Sequence, residues 1–136
     1  MEAAAASATS RRALFEDEHQ TFRESFRRFL EQEVVPAYPQ WQREGSVPRD
    51  VFRAAAEHGF VGMQVPEQLG GAEVDDVRFN VVIGEEAMRA GVAGFGRALA
   101  VHNDVCVPAL LRHASGGTLQ GAAFSGGPCA GRRPSG

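Results

Sequence analysis

The apolar positions of this chain recur at helical spacing. Between Arg12 and Val35, Phe15, Phe22, Phe26, Phe29 and Leu30 are separated by steps that place them on one stripe of a helix. The opposite face carries Glu24, Arg27, Arg28 and Glu31, with Glu24 and Arg28 at the spacing of a weak ion pair. Pro36 and Pro39 end the pattern, because proline lacks the backbone donor and crowds the preceding turn. The stretch AYPQWQREG then reads as a short connecting turn or helix ending at Gly45.

A second helix is predicted over SVPRDVFRAAAEHGF. Pro48 suits its first turn, Asp50 the positive end of its dipole, and Gly59 a left-handed C-terminal cap. Val51, Phe52, Ala55 and Ala56 form its apolar side. The following VGMQVPEQLGG is an apolar loop, too short and irregular for a strand. A third helix starts near Val74, with Glu73, Asp75 and Asp76 at its positive end. Val77, Phe79, Val81, Val82, Ile83, Ala87 and Met88 leave it apolar almost all round, which predicts burial on several sides, and Glu85 and Arg89 are spaced to pair. Gly91 and Gly94 punctuate its end. The last helical pattern runs from Phe95 to His113 with Pro108 inside it, so two helices or one kinked helix are expected. The fold class is all-α, about four to five helices.

Composition narrows the class further. A chain of 136 residues, 43% hydrophobic and 23% charged, suits one soluble globular domain. A net charge of -3 gives no basic footprint for nucleic acid. Cys106 and Cys129 make no disulfide framework and suit a reducing compartment. No run approaches the roughly 18 apolar residues of a membrane span. The opening MEAAAASATS has no apolar segment of a secretory signal. With Arg11 and Arg12 it is loosely like a transit peptide, but a frayed cytoplasmic N-terminus over residues 1–11 is the favoured reading, ahead of a mitochondrial matrix address.

Candidate chemistry is sparse. No P-loop, G-x-G-x-x-G or G-x-S-x-G motif occurs, and GVAGFG follows a helix where a phosphate cradle needs a strand. Glu16-x-x-His19 has the spacing of one half of a di-iron carboxylate unit, but it occurs once, and surface charge is the favoured reading. His102, Cys106 and His113 share helical spacing without the fourth ligand that a structural zinc requires. Two core residues and a solvent-edge His113 account for them better. Residue chemistry alone presents no active site.

Three stretches, taken together, carry a family resemblance. LFEDEHQTFRESFRRFLEQEVVPAYPQWQREGSVPRDVFRAAAEHGFVGMQVPEQLGG, VVIGEEAMRAG and GFGRALAVHNDVCVPALLRHAS resemble, in order and spacing, the N-terminal helical domain of the acyl-CoA dehydrogenases over about residues 14–115. The HND and PALL pieces are more similar to the long-chain members. The resemblance implies an enzyme that removes a proton α and a hydride β to a thioester carbonyl of acyl-CoA. FAD would take the hydride, an electron-transferring flavoprotein would reoxidise the flavin, and the enzyme would be a homo-oligomer. It places Phe95, Arg97, Ala100, Val101 and Asp104 on the helix lining the end of the acyl pocket, Arg97 being an unusual residue for an apolar wall. It assigns no catalytic, flavin-binding or metal-binding residue to this chain.

The resemblance also bears on the stretch from residue 116 to 136, which has seven glycines, two prolines and no acid. The family's next segment should be a charged helix and then a TEPGAGSD-like stretch. The expectation is therefore a domain over 12–115, a break at Ser115–Gly116, and a disordered tail for which an out-of-frame continuation is one origin. Such a chain alone is expected to be inactive. The alternatives are a non-catalytic α-helical interaction module, and a fragment of an acyl-CoA oxidase or related flavin monooxygenase.

Overall fold

The computed structural model describes residues 14–113, so the expected disordered segments at 1–11 and 116–136 lie outside the described residues. Helix α1 spans Asp17–Phe29 and widens into a π turn at Leu30–Val34. Helix α2 spans Tyr38–Glu44, α3 Arg49–Glu57, α4 Val77–Arg89 and α5 Ala93–Val101. A second π turn, His102–Cys106, leads into α6, Val107–His113. A single 3-10 turn at Glu67–Leu69 interrupts the loop before α4, and no strand occurs among the described residues.

Both π turns have the same cause. In a regular α-helix a proline ring collides with the carbonyl four residues before it and leaves that carbonyl without a donor. Val35, just before Pro36, donates instead to the Leu30 carbonyl five residues back, at 2.8 Å. Val107, just before Pro108, likewise donates to the His102 carbonyl. Widening one turn makes room for each ring. The region around Pro108 is thus a continuous helical path with a wide turn, between the two outcomes expected. Pro39 does not help to stop α1. It occupies the first turn of α2, where a missing N–H costs nothing.

The core lies where α1, α3, α4 and α5 meet. Phe26, Phe29, Leu30 and Val34 enter it from α1 and its π turn, Val51 and Ala55 from α3, and Ile83, Ala87, Phe95 and Leu99 from α4 and α5. Phe60, in the loop after α3, sits at its centre with its ring 5.0–5.4 Å from those of Phe22, Phe26 and Phe29, mostly edge to face. The loop is closed by two backbone bonds, Glu73 N–H to the Val65 carbonyl at 3.0 Å and Val74 N–H to the Met63 carbonyl at 2.8 Å. That closure explains its apolar sequence, because Met63 and Val65 are drawn into the interior.

Helix α4 departs from expectation on its outer side. Its first turn begins at Val77 because Asp76 is the cap, its carboxylate accepting the Arg78 N–H at 2.9 Å. Phe79, Val82, Ile83, Glu86 and Ala87 are buried, but Val77, Val81 and Met88 are 69%, 41% and 73% exposed. The helix is apolar on two sides and covered on one. Neither expected intrahelical pair, Glu24 with Arg28 or Glu85 with Arg89, is formed; Glu85 instead meets Arg23 of α1.

The crossing of α4 and α5 is close because Gly96 has no side chain. A Cβ there would collide with the Ala87 methyl. Gly96→Ala should therefore destabilise the domain by about 1–3 kcal/mol, overpacking outweighing the gain in helix propensity. Urea denaturation measures this, and Ala87→Gly in the same chain should recover most of the loss. A stabilised Gly96→Ala variant would show that the crossing can open without cost.

Candidate functional site

Two polar constellations and one outward face hold the chemistry of the described residues. The first joins the start of α1 to the start of α4. His19 is fully buried, its ring 6.0 Å from Phe15 and 4.5 Å from Phe79. Its Nδ1 accepts the Glu16 N–H at 3.0 Å. That acceptor role puts the proton on Nε2, which donates to Asp76 Oδ2 at 2.9 Å. The surface-charge reading of Glu16 and His19 is thus corrected for His19, which is a core residue tying two helix starts together. Donor atoms of Glu16, Glu18 and His19 do gather within 4.8 Å of one another. Both imidazole nitrogens are committed, however, so the ring offers no lone pair to a metal.

Asp76 is gripped from three directions. Besides His19 and the Arg78 N–H, it accepts Arg78 Nη2 at 2.8 Å and Nε at 3.0 Å. The Arg78 side chain first, then its backbone N–H and His19, hold the Asp76 carboxyl far below the ordinary carboxylate range.

The second constellation is centred on Glu86, 2% exposed on α4. Arg23 Nη1 reaches Oε1 at 2.8 Å, and Arg27 reaches Oε2 through Nε at 2.9 Å and Oε1 through Nη2 at 3.1 Å. Arg23 also donates to Glu85 at 2.7 Å and lies 5.1 Å from the centre of the Phe15 ring. Burial pushes the Glu86 carboxyl upward, but the hydrogen bonds and charges of Arg27 and Arg23 outweigh it and the net shift is downward. Sequence reasoning missed this residue and put Arg27 on a solvent face. The signal was present: Glu86 falls on the helical stripe of Phe79, Val82 and Ile83, where an acid needs a partner from another element.

The outward face belongs to α5 and its π turn. Of the five residues predicted to line a pocket, Arg97, Val101 and Asp104 are exposed and Ala100 is half-buried. Spacings of three and four put these four on one side of the helix. Phe95 points the other way, fully buried between Phe29 and Phe52 with ring centres 6.3 and 5.5 Å away. The wide turn next to this face is pinned by Asn103, which is fully buried and was also missed from the sequence. Asn103 accepts the Gly62 N–H at 2.9 Å and donates to the Phe60 carbonyl at 3.0 Å and Asn80 Oδ1 at 3.2 Å. Its own carbonyl accepts from Gln64 at 2.8 Å, and Asn80 donates to Asp104. Between them lies a shallow cleft of about 180 Å³, lined by Gln64, Asp75, Asp76, Asn80 and Asp104 among others. His102 is buried with its pKa lowered by that burial, Cys106 is half-buried, and His113 is exposed.

The family profile described as acyl-CoA dehydrogenase, N-terminal domain, matches residues 16–117, which include both constellations and the outward face. The chain belongs to the acyl-CoA dehydrogenase family. It is 32% identical over 104 residues to the long-chain specific acyl-CoA dehydrogenase, mitochondrial, of Sus scrofa, a match covering 76% of this chain and 24% of that protein. The short-chain specific acyl-CoA dehydrogenase, mitochondrial, of Mus musculus is 34% identical over 71% of this chain and 23% of its own length. A crystal structure of acyl-CoA dehydrogenase from Geobacillus kaustophilus superposes with a TM-score of 0.71 at 31% identity, covering 82% of this chain and 30% of that one. The chain thus spans about a quarter of the length of the curated relatives it matches.

In this acyl-CoA dehydrogenase domain both gripped carboxylates have depressed pKa values. Their stabilisation is therefore present above the ordinary carboxylate pKa and is lost as pH falls through the lower folded-state values. The urea midpoint should begin to slip below about pH 6.5, where keeping buried His102 neutral costs stability, and fall more steeply below about pH 4.5 as the two carboxylates are protonated in the unfolded chain. Glu86→Gln should cost about 2–3 kcal/mol at pH 7, less than a fully buried pair because Arg27 can turn to water, and should make the acid fall shallower. A midpoint unchanged between neutral and strongly acid pH would refute the role of these carboxylates.

Proposed function

We propose that this chain supplies the N-terminal helical part of a flavin-dependent acyl-CoA dehydrogenase, acting in α,β-dehydrogenation of acyl-CoA thioesters, and that the outer side of α5 forms part of the acyl-pocket wall. The observation that carries the reading is the shared outward face of Arg97, Ala100, Val101 and Asp104. The core does not need that face, yet it is fixed in place. Phe95 anchors α5 from beneath, and Asn103 and Asn80 fix the wide turn beside it. Such preorganisation suits a surface that sets where a substrate lies.

The chemistry itself is assigned to no described residue. A general base near neutral pH needs a raised carboxyl pKa. Glu86 and Asp76 are shifted the other way by arginines, so they serve the fold. FAD, the hydride acceptor in the family reading, does not fit the cleft beside α5. A volume of about 180 Å³ is small against the roughly 300–1,000 Å³ of typical ligand pockets. Its wall of Asp75, Asp76 and Asp104 would repel a pyrophosphate. Acyl-CoA as substrate, an electron-transferring flavoprotein as partner and a homo-oligomeric assembly enter with the same reading. No helix among the described residues is long and apolar enough to cross a membrane, and a cytoplasmic address is proposed beside relatives named as mitochondrial.

Two measurements test this. The 136-residue chain, purified alone, should show no stoichiometric flavin absorbance and no dye-linked oxidation of acyl-CoA; a yellow, active protein would overturn the assignment of the chemistry elsewhere. Titrating palmitoyl-CoA into isotope-labelled chain should shift the amide signals of Arg97, Ala100, Val101 and Asp104 first. Shifts confined to other helices would remove α5 from the pocket wall.

A further inference from the structure

The stretch Leu14–Glu16, which leads into α1, is held in three ways. The Glu16 N–H donates to His19 Nδ1 at 3.0 Å. Arg78, in the first turn of α4, donates to the Leu14 carbonyl at 3.3 Å and lies 3.6 Å from a Glu16 carboxylate oxygen. Phe15 is buried, its ring centre 6.0 Å from that of His19 and 5.1 Å from the Arg23 guanidinium. A guanidinium and a phenyl ring do not change state near neutral pH, but an imidazole does. A helix start is often closed at this position by a Glu or Gln side chain that reaches back to the cap N–H. Here His19 does it, and an imidazole accepts a hydrogen bond only while one of its nitrogens is unprotonated.

The two ring nitrogens would answer a second proton in opposite ways. On the Nε2 side, Asp76 Oδ2 at 2.9 Å would meet a cation in place of a dipole, and that bond would strengthen. On the Nδ1 side, the proton would take the lone pair that now receives the Glu16 N–H, and two donors cannot face each other. The amide would lose its partner while the ring stayed docked on α4. The new Nδ1–H has acceptors at hand, because carboxylate oxygens of Glu16 and Glu18 lie within 4.8 Å of a His19 ring nitrogen. The charged groups around the ring are thus Glu16, Glu18 and Arg23 from α1 and its approach, and Asp76 and Arg78 from the start of α4. Phe15 and Phe79 pack against it without charge. Arg78 keeps Asp76 ionised, so it remains an acceptor wherever imidazoles titrate.

We propose that His19 is a proton-operated latch on the stretch leading into α1. Neutral, it ties the Glu16 backbone to Asp76 and so the start of α1 to the start of α4. Protonated from solvent, it keeps Asp76, releases the Glu16 N–H and turns Nδ1–H to the carboxylates beside it. The release is local, because the core contacts of α1 begin at Phe26, about two turns further along the helix. The latch goes beyond the proposed function and does not rest on it, since every group it uses lies within Leu14–Phe79.

Nuclear magnetic resonance of the nitrogen-15-labelled 136-residue chain tests this. At about pH 8 the His19 ring should carry its proton on Nε2 alone. As the pH falls to about 5, across the range in which imidazoles titrate, the ring should take a second proton. Over that step the Glu16 amide should lose at least about tenfold in hydrogen-exchange protection, the net worth of one hydrogen bond, while the Phe26 and Ile83 amides keep theirs. Glu18→Gln, at an exposed position, removes an anion beside the ring and should move the step to lower pH. His19→Gln, whose amide oxygen accepts without titrating, should leave Glu16 protected throughout; the wild-type step and the Glu18→Gln shift decide the matter even where that variant fails to fold. A proton on Nδ1 at the higher pH, or a ring that takes no second proton by the lower, would overturn the latch. So would a Glu16 amide unmoved while the ring titrates, or core amides lost together with it.

Discussion

Adjacent residues on one helix hold this domain together. Glu86 and Ala87 point about 100° apart from α4, one toward α1 and the other toward α5. Glu86 takes three hydrogen bonds from Arg23 and Arg27, which fixes the rotation of α4 against α1. Ala87 meets the bare backbone at Gly96, which fixes how closely α5 approaches. A buried ion pair is weak as a source of stability but exacting about geometry, because either partner left alone is costly. With α4 locked on both flanks, its third side has to face outward. Val77, Val81 and Met88 are exposed for that reason, and not because the core ran out of room.

The helices were legible from spacing because their apolar stripes repeat over several turns. Phe26, Phe29 and Leu30 of α1 and its π turn, and Val51 and Ala55 of α3, are buried as their period required. What spacing could not supply was the partner of a polar residue. His19, Glu86 and Asn103 are all buried, and each is satisfied mainly by groups from other elements: Asp76, two arginines of α1, and the Phe60–Gly62 loop. A local pattern sees such residues as interruptions and assigns them to water. The same limit explains the unformed pairs. Glu85 had an arginine one turn along its own helix, but Arg23 on α1 offered a fork already aimed at its neighbour Glu86.

The prolines show the opposite case, where a local rule was right about strain and silent about its relief. Pro36 and Pro108 were expected to end or bend helices. In both places the chain widens by one residue per turn immediately before the proline and carries on helically, after Pro36 through a brief turn into α2. At the second site this has a consequence for the candidate site. The widened turn allows Asn103 to face the loop at Gly62 while Asp104 reaches Asn80. Four of the five residues carried over by family resemblance share that helix's outer side, and Phe95 is the one that packs inward. Resemblance gave the helix; only the register of the helix against its neighbours separates its outward residues from its buried support.

That separation bears on what the domain contributes to a reaction. A catalytic carboxyl is made by withholding partners from it, so that its proton is held near neutral pH. Here the environment does the reverse: Asp76 and Glu86, the carboxylates drawn into the junctions between helices, are surrounded by arginine and imidazole donors and kept charged. Asp104, the exposed acid of the α5 face, borders a shallow cleft that it shares with Asp75, Asp76 and Asn80. A domain built this way stabilises itself with its charges and holds the outer side of α5 in a fixed register. Under the proposed function such a surface would position a substrate, and no described carboxylate has the environment of a general base.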